Sequence, residues 1–294
     1  MNRLEEFRDP SVAASQLAWH LGRGQLVLLL GAGVSRDVGL PDWEGLVSRC
    51  EVALGIDPPA ANVPLMRRIE IVRTRVPASQ DFRAFVRRHL YPDDWVNQGA
   101  YPGGALSTGL LGALGAILGP SARGGVSDVM SLNFDDALEC YLRAEGHPIQ
   151  PVADPGGVLR GDVDVRIHHF HGYLPLADGD TWSTSLVFSQ AELVARLGAQ
   201  GSYWETFLRS QILTKVFLIV GTSLEDTDVE VLLRQAGSEL NGSRPLGFVI
   251  DRRVSADRRR ILEESGLAVT SVAEYGEIPG FLRQVCEIAA NGPA

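Results

Sequence analysis

Three cysteines in 294 residues is few, and Cys50, Cys140 and Cys286 stand too far apart to make any CxxC pair. That excludes a four-cysteine zinc site and a disulfide framework, and it suits a reducing cytoplasm. Positive charge is also short. There are 27 Lys and Arg against 36 Asp and Glu, a formal net charge of −9. An extended nucleic-acid surface needs clustered Lys and Arg, so direct nucleic-acid binding is not expected. The run Arg258-Arg259-Arg260 reads as a solvated helix face. Long apolar runs are missing too. Gly109–Gly119 (GLLGALGAILG) comes nearest but falls short of the roughly 18 residues of a membrane span. It reads as a buried helix whose Gly109, Gly112 and Gly115 share one face and permit close packing. Met1–Asp9 is charged and has no apolar stretch, so no signal peptide is expected. No internal repeat or low-complexity tract is present.

What is present suits one large α/β domain over residues 1–294. Helical spacing over Ser11–Leu21 leads into a strand at Leu26–Leu30. About residues 44–105 are richer in Arg and Pro and lack a strand signal. They read as a small inserted helical lobe, with helices over Met66–Arg75 and Asp81–Leu90. Strands are then expected at Val126–Leu132, Val165–Phe170, Leu186–Phe188, Val216–Val220, Phe248–Ile250 and Ala268–Val272. Helices are expected from Asp135, near Ser189, over Tyr203–Leu213 and Asp226–Gln235, from Ser255, and finally through Ala289. Alternating strands and helices predict a doubly wound, Rossmann-like parallel sheet with helices on both faces.

Polar motifs follow four of these strands. The stretch LVLLLGAGVSRDVGLPDW (Leu26–Trp43) runs from an apolar strand into Gly31-Ala32-Gly33. Glycines there let the chain turn sharply and let a pyrophosphate approach backbone N–H groups. Position 36 is Arg, so the dinucleotide pattern GxGxxG is not met. Asn133, His171 and Gly221 likewise come directly after strands. In an open parallel sheet ligands bind outside the carboxyl ends of the strands, so all four motifs converge on one crevice. His171 can act as a general base near neutral pH, and its alternative is a satisfied core histidine. Asn133 can donate and accept without adding charge, or it can cap the next helix. His169 and His171 share a strand face, so a metal pair completed by Asp135 or Asp226 is a minor alternative. His168 is assigned to packing.

GAGVSRDVGLPDW resembles the nucleotide-binding signature of the sirtuin-like superfamily of NAD-consuming enzymes. SLNFDDALE from Ser131, HFHGYLP from His169 and VGTSLEDTDVEVLL from Val220 fit the same family in order, so the resemblance spans Leu26 to about Asp251. The bacterial branch associated with antiphage NAD depletion is the more similar one. The resemblance implies that His171 is the catalytic base and that Asn133 is essential. It places Gly31, Ala32, Gly33, Ser35, Gly221, Thr222 and Ser223 around the nucleotide. Asp135 is expected as a helix N-cap or a ribose contact. Asp226 fits the GxSxxD pattern or caps a helix. Ser35 and Pro41 shape the loop, and Trp43 packs under it or lines the nicotinamide side. Asp251 stands where sirtuins keep an adenosine-ribose contact. Its carboxylate would repel a 2′-phosphate and so favour NAD over NADP.

The chain also departs from the deacylating sirtuins. Gly172–Val220 contains no cysteine, whereas those enzymes carry paired CxxC motifs there, so no zinc is expected. Their GIPDFR segment is GLPDWE here. Without an acyl acceptor, water is the natural nucleophile. The resemblance therefore implies an NAD glycohydrolase that releases nicotinamide and ADP-ribose, with NAD as substrate, cytoplasmic and regulated by self-assembly into a homo-oligomer or by a separate partner such as an ATPase. Two other functions compete: a non-catalytic NAD or ADP-ribose sensor, and a protein deacylase or ADP-ribosyltransferase.

Overall fold

Leu26–Leu30 forms the central strand β1, and all five of its side chains are buried. Leu26, Leu28 and Leu30 enter one hydrophobic core and Val27 and Leu29 another. A strand covered on both faces reads as an unbroken apolar run rather than an alternating one. The computed structural model describes residues 4–57, 63–98, 109–119, 125–155, 163–177, 186–197, 202–222, 224, 233, 244–252 and 254–292.

Six further strands complete the sheet: β2 (Asp128–Ser131), β3 (Ile149–Val152), β4 (Val165–His169), β5 (Val216–Val220), β6 (Gly247–Arg252) and β7 (Leu267–Val272). Their order is β3-β4-β2-β1-β5-β6-β7, and every pairing is parallel. The fold is thus a Rossmann-like α/β sheet. From β1 the chain moves outward to β2, and from β5 it moves the other way to β6. The switch point lies between β1 and β5, which is where such sheets bind ligands.

The helices are α1 (Pro10–Leu21), α2 (Gly33–Arg36), α3 (Trp43–Ala53), α4 (Leu65–Arg75), α5 (Phe82–Leu90), α6 (Asp93–Gln98), α7 (Leu110–Leu118), α8 (Ala137–Ala144), α9 (Gln190–Leu197), α10 (Tyr203–Thr214), α11 (Ala256–Glu264) and α12 (Ile278–Asn291). Side chains of Asp9, Asp42, Asp81, Ser202 and Ser255 cap α1, α3, α5, α10 and α11 by accepting early backbone N–H groups, the usual solution for donors with no intrahelical partner. One core joins α1, α7 and α12 to the sheet. Trp204, Leu208 and Ile212 of α10 and Leu262 of α11 cover the other face.

Between β1 and β2, the region read as an inserted lobe, the described residues include several helices and no strand. Leu46, Ile69, Val72, Phe85 and Trp95 from this lobe belong to the same core as Leu28 and Leu218 of the sheet. α7 is buried as read, and a Cβ on Gly115 would lie 2.6 Å from the Tyr141 ring of α8. No helix among the described residues is long and apolar enough to cross a membrane.

Four local expectations change. Leu186–Phe188 is not a strand, although the Val187 N–H donates to the His171 carbonyl at 2.8 Å. β3 was not expected, because Pro151 and Gln150 interrupt its apolar character; proline is tolerated there because β3 is an edge strand. The helix after β2 begins at Ala137 rather than Asp135. Finally, Arg259 is not a solvated residue: it reaches inward to the Val269 carbonyl and Ser271 Oγ, both at 2.7 Å, while Arg260 pairs with Glu264 on the surface. The expected helix Asp226–Gln235 lies, Leu233 apart, outside the described residues.

Candidate functional site

The loops leaving β1 and β5 touch backbone to backbone. The Gly31 N–H donates to the Val220 carbonyl at 3.0 Å and the Gly33 N–H to the Gly221 carbonyl at 2.8 Å. A Cβ on Gly31 would sit 2.4 Å from Thr222 Cβ, and one on Gly33 would sit 2.8 Å from Gly221 Cα. Gly221 itself has φ +74°, and its Cβ would lie 2.7 Å from the Val34 nitrogen. The glycines are therefore required by the crossing of two loops. The amides of Gly31 and Gly33 are committed to that crossing.

Asn133, two residues past β2, reaches across to the first loop. Its Nδ2 donates to the Gly31 carbonyl and to Ser35 Oγ, both at 3.1 Å. A carbonyl only accepts, so the atom facing Gly31 must be the nitrogen and the amide orientation is fixed. Ser35, which is buried, passes the direction on: its hydroxyl donates to Asp135 Oδ1 at 2.9 Å, and the Ala137 N–H donates to that same oxygen at 3.1 Å. Both Asn133 amide hydrogens are thus spent, and Asn133 Oδ1 can only accept. Burial pushes the Asp135 carboxyl up to about 6, against the opposing pull of the Ala137 N–H and the Ser35 hydroxyl.

His171 lies two residues past β4, and its Nδ1 faces the Leu132 carbonyl at 3.0 Å. Nδ1 must carry the hydrogen there, so in the neutral ring Nε2 holds the lone pair. His171 is buried, and its ring centroid lies 6.0 Å from that of Phe134. His169 is arranged differently. Nδ1 faces the Asn133 carbonyl at 2.9 Å and Nε2 faces Glu139 Oε1 at 2.6 Å. With both nitrogens engaged, His169 cannot join His171 in the metal pair considered from the sequence. Among the described residues no group of three His, Cys, Asp or Glu is placed to hold a metal. His168 stacks on Phe207, with centroids 4.1 Å apart, and its Nε2 meets Asp128 at 2.8 Å, a packing role.

Trp43 opens α3 and stacks on Phe188, with centroids 5.7 Å apart and planes at 10°. Phe134 lies 4.9 Å from Phe188 and 5.6 Å from Trp43. These rings form an apolar wall beside His171. Pro41 precedes the capping residue Asp42 and sits half-buried at the base of α3. At the end of β6, half-buried Asp251 follows Ile250, the residue paired with Val220, and so flanks the same crevice. Burial pushes its carboxyl above the usual range. Thr222 Oγ1 accepts the Leu224 N–H at 3.1 Å. Ser223 and Asp226 lie outside the described residues.

The structure therefore brings Gly31, Ala32, Gly33, Ser35, Asn133, Asp135, Gly221 and Thr222 to the switch point, with His171 and Trp43 alongside. Sequence reasoning missed Phe134, Phe188 and Glu139. Phe134 and Glu139 stand inside SLNFDDALE, and that motif was the available signal. Phe188 had none, because its loop meets β4 only through tertiary contacts.

Residues 127–270 match the family model described as SIR2-like domain. The match begins just before β2 and ends within β7, so it includes Asn133, His171, Gly221 and Asp251, and it supports a sirtuin-like domain in this chain. Domains of this family are generally NAD-dependent enzymes. No curated protein matches the chain.

Proposed function

We propose that this protein is an NAD glycohydrolase that cleaves NAD to nicotinamide and ADP-ribose. The observation that carries the reading is the fixed Asn133 amide beside His171 at the switch point. Its two hydrogens are held by Gly31 and Ser35, which leaves its oxygen to act as an acceptor. The bond between ribose C1′ and the nicotinamide nitrogen breaks, and its electron pair neutralises the pyridinium. The ribosyl cation that develops resembles that of glycoside hydrolysis. Water then bonds to C1′. Asn133 Oδ1 accepts one of its hydrogens and orients it, and His171 Nε2 takes the proton, which leaves the ring as imidazolium. The aromatic wall of Trp43, Phe134 and Phe188 limits entry of further water. Asp251 accepts from a ribose hydroxyl and disfavours a 2′-phosphate, so NAD is hydrolysed faster than NADP.

Losing a positioned acid–base group costs about 10²–10⁴ in rate. His171→Ala and Asn133→Ala should each lower turnover at least that far with the fold retained. The assay is product separation by liquid chromatography after incubation with NAD, with NADP in parallel. Full activity in either variant would sink the assignment, and comparable rates on both nucleotides would remove the role of Asp251. Tight ADP-ribose binding with no turnover would instead favour a sensor. A place in antiphage defence by NAD depletion, cytoplasmic location, self-assembly into a homo-oligomer and control by a separate partner such as an ATPase belong to the same proposal. They rest on the resemblance in the motifs.

A further inference from the structure

Beneath the candidate site lies a buried ionisable pair that the chemistry above does not use. His169 is the last residue of β4 and Glu139 lies in the first turn of α8, and each side chain is 1% exposed. Two buried groups of this kind carry a large desolvation cost and persist only with good geometry and full hydrogen bonding. Here the geometry does more than satisfy the pair. Glu139 holds Nε2 at 2.6 Å, and the opposite nitrogen is thereby aimed at the backbone carbonyl of Asn133 at 2.9 Å. Both partners are acceptors, so the doubly protonated ring satisfies both at once.

We propose that His169 and Glu139 are positioning residues that hold Asn133 in register for the reaction. The inference rests on the hydrolase reading for its kinetic consequence and on geometry alone for the contact. The ring faces Glu139 from α8, Asp135 from the β2–α8 loop, His168 on its own strand and the Tyr173 ring at 4.5 Å. Arg143 and Asp136 act on Glu139 and Tyr173 from α8 and the turn before it. Burial alone would drive the proton off His169. The Glu139 charge, the hydrogen bonds to Glu139 and Asn133, and Asp135 together outweigh it, and the pKa is raised. Positioning is therefore complete below the folded pKa and fails as pH rises through it. The neutral ring keeps its hydrogen toward Glu139, and its Nδ1 lone pair then opposes the Asn133 oxygen.

Glu139→Gln separates positioning from mere support. A glutamine amide can donate to Nε2, which leaves the Nδ1 hydrogen on Asn133 at every pH. Glu139→Ala cannot. Turnover of NAD against pH is measured for wild type, Glu139→Gln, Glu139→Ala and His171→Ala. Side-chain amide resonances of Asn133 are followed by NMR over the same range. Glu139→Ala should lower kcat 10- to 100-fold with KM within about threefold, and Glu139→Gln should restore kcat and abolish the alkaline fall. Asn133 resonances should track an alkaline titration in wild type and not in Glu139→Gln. An alkaline limb retained in Glu139→Gln, or Asn133 resonances indifferent to pH in wild type, overturns the inference. If Glu139→Ala does not fold, wild type against Glu139→Gln still decides. If wild type hydrolyses no NAD, the hydrolase reading fails while the resonances still judge the contact.

Discussion

Asp135 shows how one residue of the site sets conditions for the rest. Its Oδ1 accepts from both Ser35 and Ala137, so an asparagine oxygen can replace it without losing either bond. The difference is charge. An Asp carboxyl normally titrates near 3.8, and burial raises this one to about 6. A raised carboxyl pKa means the folded state holds the proton more tightly. Its contribution is favourable below about 4 and declines as pH rises toward 6, by about 3 kcal/mol at most. Asp135→Asn should therefore raise the melting temperature at pH 7 and leave it nearly unchanged at pH 4. Equal shifts at both pH values would show that the carboxylate is better compensated than its burial implies. At this scale much of the site was legible. Asn133 and His171 follow strands in recognisable motifs. The direction of the Asn133 amide was not legible, because it depends on Gly31 and Ser35, about 100 positions away in the chain.

Two glycines that look alike in the sequence differ at the scale of elements. Gly39 and Gly221 both have positive φ, +86° and +74°, but a Cβ on Gly39 meets nothing within 4 Å. Gly39→Ala should cost only the left-handed backbone penalty of about 1–2 kcal/mol. Gly221→Ala adds a collision with Val34, between the loops after β5 and β1, and should cost more, with loss of ADP-ribose binding. Denaturant unfolding and calorimetric titration check the pair, and equal costs would refute the crossing as the reason for Gly221. The strands flanking this crossing, Leu26–Leu30 and Val216–Val220, were legible to the residue, because central strands buried on both faces are continuous apolar runs. β3 was not, because its exposed outer edge tolerates Gln150 and Pro151. Nor was the loop at Leu186–Phe188, whose apolar side chains enter the two cores, Leu186 and Phe188 one and Val187 the other, without forming a strand.

At the scale of the molecule, α/β class and parallel order followed from alternation, whereas the shared core of lobe and sheet did not. Local periodicity marks which face of a helix is apolar and not what it meets. Tyr91 illustrates the joint. It follows α5 in the lobe, and its hydroxyl lies 2.7 Å from Asp136 Oδ1 and 2.9 Å from the Leu174 carbonyl. The lobe is thus tied to the loops that follow β2 and β4. The sheet order has a temporal consequence as well. β1 leaves the ribosome before its neighbour β5, which begins about 190 residues later, roughly 10–40 s of synthesis. Until then one flank of the central strand has no partner and the crevice has only one wall. A growing chain of this protein cannot form the two-walled crevice, however complete its first loop, until Val216–Val220 and the loop after it have been made.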